Sequence, residues 1–284
     1  MEASEQTSAT IPATVSFANA VGVLGTIVGL VLLLGAALGT SVGAWESAEP
    51  LTQGMIAAAM CGVGPALFGI RNARTWSEAR SLILPTVAVL GGLFAVGVIQ
   101  FGESYLSQGG NVLLVFFALG WYAGLGGLTL AGVIVLVRQL ATRDRVEQTP
   151  SAAIPKWMWI PVVALGLVLL AAGIGLFAGA NVVPWDLNTT DRDALGVLGL
   201  AMGVAVFTVL VDGGLHRIRH TTRAILVMPV VAALMLIARQ SHVHWGTTAA
   251  LGFIAVLTLM FAGGIVIRFL AWAWPARLHA EVYG

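Results

Sequence analysis

Charge is what this chain has least of: 14 basic and 13 acidic residues among 284, or 10%. A soluble domain carries roughly 25% charged residues because its surface has to be wetted. A mean hydropathy of +0.92 points the same way. These figures exclude a water-facing globule and leave lipid as the solvent. Cysteine is nearly absent too. Cys61 stands alone, which excludes an intramolecular disulfide and any CxxC redox or zinc motif. Lys156 is the sole lysine and falls at the edge of an apolar run, so a Schiff-base site within the membrane, and with it a retinal protein, is excluded. HExxH, GxSxG and P-loop motifs are missing, and the chain reads as non-enzymatic with no cofactor implied. A net charge of +1 offers no attraction for nucleic acid. Residues 1–16 carry Glu2 and Glu5 but no basic residue, unlike a secretory signal. They are expected to form a disordered cytoplasmic tail.

Long apolar runs are abundant. A helix crossing the hydrocarbon core needs about 20 mostly apolar residues. Eight segments qualify, near 18–43, 52–70, 81–100, 112–137, 157–182, 194–211, 222–239 and 247–271, none with a charge at its middle. Counting turns from a cytoplasmic N-terminus places 12 of the 14 basic residues inside, leaving out Arg192 and Arg239. The positive-inside bias thus predicts both termini in the cytoplasm. Only Trp121 is placed deeper; the other eight of the nine tryptophans fall at the predicted interfaces, Trp45, Trp185 and Trp245 outside and Trp76, Trp157, Trp159, Trp272 and Trp274 inside. An indole sits there with its ring in the acyl boundary and its N–H wet.

The halves resemble each other. Each opens with a Gly-rich segment ending in a Trp-acid pair, Trp45-Glu46 and Trp185-Asp186. Each second segment runs into an Arg-rich turn, each third carries a proline (Pro85, Pro229), and each fourth contains Leu-Thr-Leu. The expected fold is therefore all-α: an integral membrane bundle of eight transmembrane helices in two four-helix repeats. Four is even, so the repeats share one orientation, about an axis along the membrane normal. The repeats cover 17–140 and 157–275, with a cytoplasmic linker over 141–156 and a cytoplasmic tail over 276–284. The stretches VPWDLNTTDRDALGVLGLAMG from Val183 and RNARTWSEAR from Arg71 resemble the repeat unit of a family of duplicated multi-pass membrane proteins of actinobacteria and related bacteria. That resemblance implies a bacterial plasma (inner) membrane and no particular activity.

Several patterns could carry function. Glycines recur four apart at Gly25/Gly29, Gly35/Gly39, Gly120/Gly124, Gly175/Gly179 and Gly199/Gly203. Such faces pack helices within one chain, or against a membrane-protein partner or second copy. His242 and His244 alternate in an outer loop and are candidate metal ligands, with Glu103 as a third; the other reading is interfacial polar residues. His216 and His220 share a helix face, but Arg217, Arg219 and Arg223 around them disfavour a cation. Arg71, Arg74, Arg80, Arg217, Arg219 and Arg223 are candidate lipid-headgroup ligands, since guanidinium forks suit phosphate, or serve orientation alone. Pro65, with Gly62 and Gly64, could interrupt the second span. An apolar core without ionisable groups favours an accessory or scaffold subunit packing against lipids or a membrane complex. The alternative is a transporter of a lipid or other apolar small solute, which requires a cavity reaching the middle of the membrane.

Overall fold

The structure, a computed structural model, describes residues 6–142, 145–147, 153–215 and 218–283. Its helices are α1 (Pro12–Ala37), α2 (Pro50–Leu67), α3 (Trp76–Ile99), the single turn α4 (Tyr105–Gln108), α5 (Val112–Ala141), α6 (Lys156–Phe177), α7 (Thr189–Asp212), α8 (Arg219–Ala238) and α9 (Thr248–Tyr283). All but α4 are long and apolar enough to span a membrane, eight in total among the described residues. Helices are the form that satisfies every backbone N–H and C=O within one segment, as hydrocarbon demands. Loops alternate between two ends of the bundle. One, the arginine end, carries the Arg71–Arg80 turn; the other, the acidic end, carries Trp45, Glu103 and Trp185.

The helix boundaries follow from local chemistry. Proline opens α1 and α2, where its missing N–H costs nothing. After α1 and α6 the chain turns through Gly39 (φ +76°) and Gly179 (φ +87°), a conformation that disfavours any side chain. Thr40 N–H then donates to Gly35 C=O at 2.9 Å, and Ala180 N–H to Gly175 C=O at 2.8 Å. The spans expected to reach residues 43 and 182 therefore stop earlier, because the valines past each glycine belong to the loop. Pro65 does not break its span. It lies two residues before the end of α2, which continues as a 3-10 turn over Phe68–Asn72.

The tail expected to be disordered over 1–16 is corrected from Gln6 onward, residues 1–5 lying outside the described ones. β1 (Gln6–Ser8) pairs antiparallel with β2 (Arg145–Glu147) in the linker, and α1 begins at Pro12 rather than near residue 18. The physical reason is Gln139 of α5, which is 1% exposed. Its amide nitrogen donates to Ala9 C=O at 2.7 Å. Its amide oxygen accepts from Ile11 N–H at 3.1 Å and from the Thr14 hydroxyl at 3.0 Å. Likewise, α9 runs on to Tyr283 through the segment expected as a tail.

Packing divides the helices into a centre and a rim. Buried residues make up 39–78% of the apolar stretches of α2, α3, α7 and α8, against 17–33% for α1, α5, α6 and α9. On the rim, α1 lies along α2, α6 along α7, α5 along α3 and α9 along α8. In the centre, α2 packs on α8 and α7 on α3. Of the five glycine pairs, only Gly199/Gly203 brings both members against a neighbouring helix, where they meet α6 at Leu169, Leu170 and Gly173.

Gln139→Leu removes three hydrogen bonds and leaves their partners unpaired. Unfolding in detergent should show a loss of about 2–3 kcal/mol, with faster proteolysis between Gln6 and Ile11. An unchanged midpoint would refute the role given to this amide.

Candidate functional site

A chamber of about 270 Å³, partly open to the outside, lies between the helices, and every one of the eight long helices contributes to its wall. Along α3 the lining runs from Ser81 to Leu93, about 18 Å of helix rise at 1.5 Å per residue. The chamber therefore extends along the helices through the middle of the span. Small side chains on the central helices, among them Ala59, Gly64, Ala201 and Ala205, leave the space. No charged residue touches it; its polar groups are Ser81, Thr86, Thr221 and Trp121.

The acidic end is closed by hydrogen bonds between the two halves of the chain. Asp191, in the first turn of α7, is fully buried. One carboxylate oxygen accepts from the Trp45 indole N–H at 2.9 Å and from the Ser47 hydroxyl; the other accepts from Ala48 N–H at 2.8 Å. In return, the Trp185 indole N–H donates to Thr52 Oγ1, in the first turn of α2, at 3.1 Å. The rings complete the closure. Trp45 meets Trp121 edge-on at 6.0 Å, and Trp185 meets Phe253 edge-on at 5.3 Å. Backbone contacts follow the same plan: Tyr105 N–H donates to Ala44 C=O at 3.0 Å, and His244 N–H to Pro184 C=O at 2.7 Å. Burial and the nearby Glu46 hold the Tyr105 phenol above its ordinary pKa, against a lowering hydrogen bond with Ser41.

The arginine end is closed where α3 meets α8. The hydroxyls of Ser81 and Thr221, which form the cavity floor, lie 2.7 Å apart. Below them the buried Glu78 is held by the Thr75 hydroxyl at 3.0 Å and by Arg219 at 3.4 Å. Arg219 Nε also donates to His220 Nε2 at 3.0 Å. The His220 ring lies against Gly69, where any Cβ would overlap it. Polar ties thus lie at both ends of the bundle, and the chamber between them is lined mostly by hydrocarbon.

Among the described residues, the histidines and arginines singled out in the sequence lie outside this chamber, whereas Gly25, Gly64, Gly120 and Gly124 line it. His242 Nδ1 sits 3.0 Å from a Glu49 oxygen and its Nε2 lies 3.1 Å from Arg239, so both ring nitrogens are engaged. His244 is exposed. No group of three or more His, Cys, Asp or Glu side chains suited to a metal occurs among the described residues. Arg71, Arg74 and Arg223 are exposed and Arg80 is half-buried. Arg219 is tied to Glu78, whereas His216 and Arg217 lie outside the described residues. Two buried carboxylates, Glu78 and Asp191, escaped the sequence reading. Their signal was present as Thr75-x-x-Glu78 and Asn188-x-x-Asp191, the spacing of a helix start. Asn188 does cap α7, accepting from Asp191 N–H at 2.7 Å.

No family model, curated protein or solved structure matches this chain. The functional reading therefore rests on geometry.

Asp191→Ala strands three donors, and unfolding in detergent should show a loss of about 2–4 kcal/mol. Trp45→Phe should cost about 1 kcal/mol. The double variant should cost less than the sum by about 1 kcal/mol. Strict additivity would show that the indole and the carboxylate are not coupled.

Proposed function

We propose that this polytopic membrane protein is a carrier that takes a lipid or other apolar small solute into the chamber between its halves. The observation that carries the reading is the chamber itself: about 270 Å³, uncharged, and walled by all eight spanning helices. Small-molecule sites occupy roughly 300–1,000 Å³ and are mostly apolar. This one is at the lower limit, which favours one chain or one small molecule over a whole phospholipid. An accessory subunit needs outward surfaces but has no use for an interior void, since a cavity forfeits packing contacts. That cost gives the carrier precedence over a scaffold.

The reading includes a duplicated architecture. In support, the pairing of α1 with α2 recurs as α6 with α7, α3 with α5 as α8 with α9, and the crossed pair α2 with α8 as α7 with α3. The glycine caps at 39 and 179 and the tryptophans at 45 and 185 keep one spacing. Each tryptophan reaches the second span of the other half. Two units so related share an axis along the membrane normal, with the chamber on it. The prolines fit less well, Pro85 lying 14 residues and Pro229 nine residues before the ends of their helices. In this reading the arginine end faces the cytoplasm of a bacterium, following the positive-inside bias, and the exposed Arg71, Arg74 and Arg223 face anionic headgroups.

Ala201, 4% exposed, lines the chamber from α7, and Ala201→Phe places a ring in it. Liposomes holding the wild-type protein should exchange a fluorescent single-chain lipid between leaflets at least about tenfold faster than empty ones, a barrier change of about 1.4 kcal/mol. Ala201→Phe should return the rate toward background. If wild-type and empty liposomes exchange equally, the carrier reading fails and the accessory-subunit reading replaces it.

A further inference from the structure

We infer that the chamber is a gauge for one alkyl chain of a neutral single-chain lipid, which enters sideways through a gap between α1 and α5. The inference rests on the carrier reading and adds the ligand's class, its length and its route.

The route follows from where α1 and α5 touch and where they do not. Near the arginine end they are joined: Gln139 bonds Ile11 and Thr14, and the Phe17 ring abuts Gly132. Farther toward the acidic end, Gly25 on α1 and Gly120 and Gly124 on α5 all line the chamber. A Cβ on any of the three would meet no atom within 4 Å. Open space beside two rim helices, continuous with the partly open chamber, gives a passage to lipid. Leu24, 47% exposed, belongs to both the chamber wall and the outer surface and forms its sill. Toward the two ends of the bundle the chamber is flanked by the Trp45–Asp191 and Trp185–Thr52 ties on one side and by Ser81, Thr221 and Glu78 on the other.

The occupant follows from size and polarity. A volume of about 270 Å³ spread over about 18 Å gives a mean cross-section of about 15 Å², the width of a single hydrocarbon chain. An extended chain advances about 1.2 Å per bond, so the chamber accommodates about 15 carbons. The lining offers no charge to pair with an ionised head, and burying one unpaired is prohibitive. The head therefore stays at the membrane surface by the acidic end, where the loops beside the gap carry Glu46 and Glu103, both exposed. Those exposed carboxylates repel anionic heads, while Arg192 and Arg239 at the same end are half-buried, which leaves neutral heads as the preferred class.

The test uses the full-length protein, delipidated in mild detergent. It is incubated with an equimolar series of monoacylglycerols of about 10 to about 20 carbons, alongside the matching free fatty acids and phosphatidylglycerol. Retained lipid is read by native mass spectrometry. Retention of the neutral series should peak at about 14–16 carbons, falling about fourfold for each methylene removed. Gly124→Phe, at a position where an added Cβ meets no neighbour, should slow loading at least about tenfold. Gly127→Phe should load normally, because Gly127 is equally unobstructed but does not line the chamber. Retention independent of chain length, or equal retention of phosphatidylglycerol or fatty acid, overturns the gauge. Normal loading of Gly124→Phe overturns the route. If Ala201→Phe abolishes retention while Gly124→Phe does not, the chamber stands and only the side entry falls. If Ala201→Phe retains every lipid as wild type does, the carrier reading itself falls.

Discussion

Hydrocarbon offers no hydrogen bonds, and that constraint sorts most of the polar groups in this protein. A donor or acceptor left unpaired within the membrane costs several kcal/mol. Most buried polar side chains are accordingly gathered at the two ends and paired there across the bundle, with Thr86, Trp121 and Thr129 as exceptions between them. Asp191 takes donors from Trp45, Ser47 and Ala48, more than 140 residues away in sequence. Gln139 binds the start of the chain to the end of α5. Glu78 and Arg219 join α3 to α8. Between these belts the helices have only shape and dispersion to hold them.

That division explains how a chamber survives in the middle. Lipid tails are as apolar as leucine, so no hydrophobic force squeezes the central helices together. Their separation is set by the ties at each end. Where backbones approach closely they do so at small residues, as at Gly22 beside Gly64 and Gly173 beside Gly199. Where small residues line the chamber without such contact, as at Gly25, Gly120 and Gly124, they leave open space. The same residue type thus serves adhesion at one place and access at another.

Much of the fold was legible in the sequence because hydropathy reports the solvent directly. All eight spans were visible, and the loop cations and tryptophans fixed their alternation. Boundaries were read less well where apolar residues continue past a glycine turn, as at Val42 and Val182. The ordered start of the chain was hidden because its partner, Gln139, lies 128 residues from Ile11. The chamber was illegible for a deeper reason. Helices apolar on all sides carry no amphipathic signal to tell interior from lipid face, so Gly29, packed on Met60 and Cys61, and Gly25, open, look alike. Glu78 and Asp191 were passed over because a carboxylate near a helix start reads as interfacial unless its distant partners are known. His242 and His244 drew notice by spacing alone, yet His242 is occupied by Glu49 and Arg239.

The proposed chamber is reached from lipid and closed to water. With Cys61→Ser as background, a nitroxide placed at Met202→Cys, on the chamber wall, reports collisions with each medium in liposomes. The account predicts strong relaxation by oxygen, which partitions into hydrocarbon, and negligible relaxation by a water-soluble nickel chelate. Relaxation by nickel equal to that of a label at the exposed Gln108→Cys would mean an aqueous pore, and would contradict it.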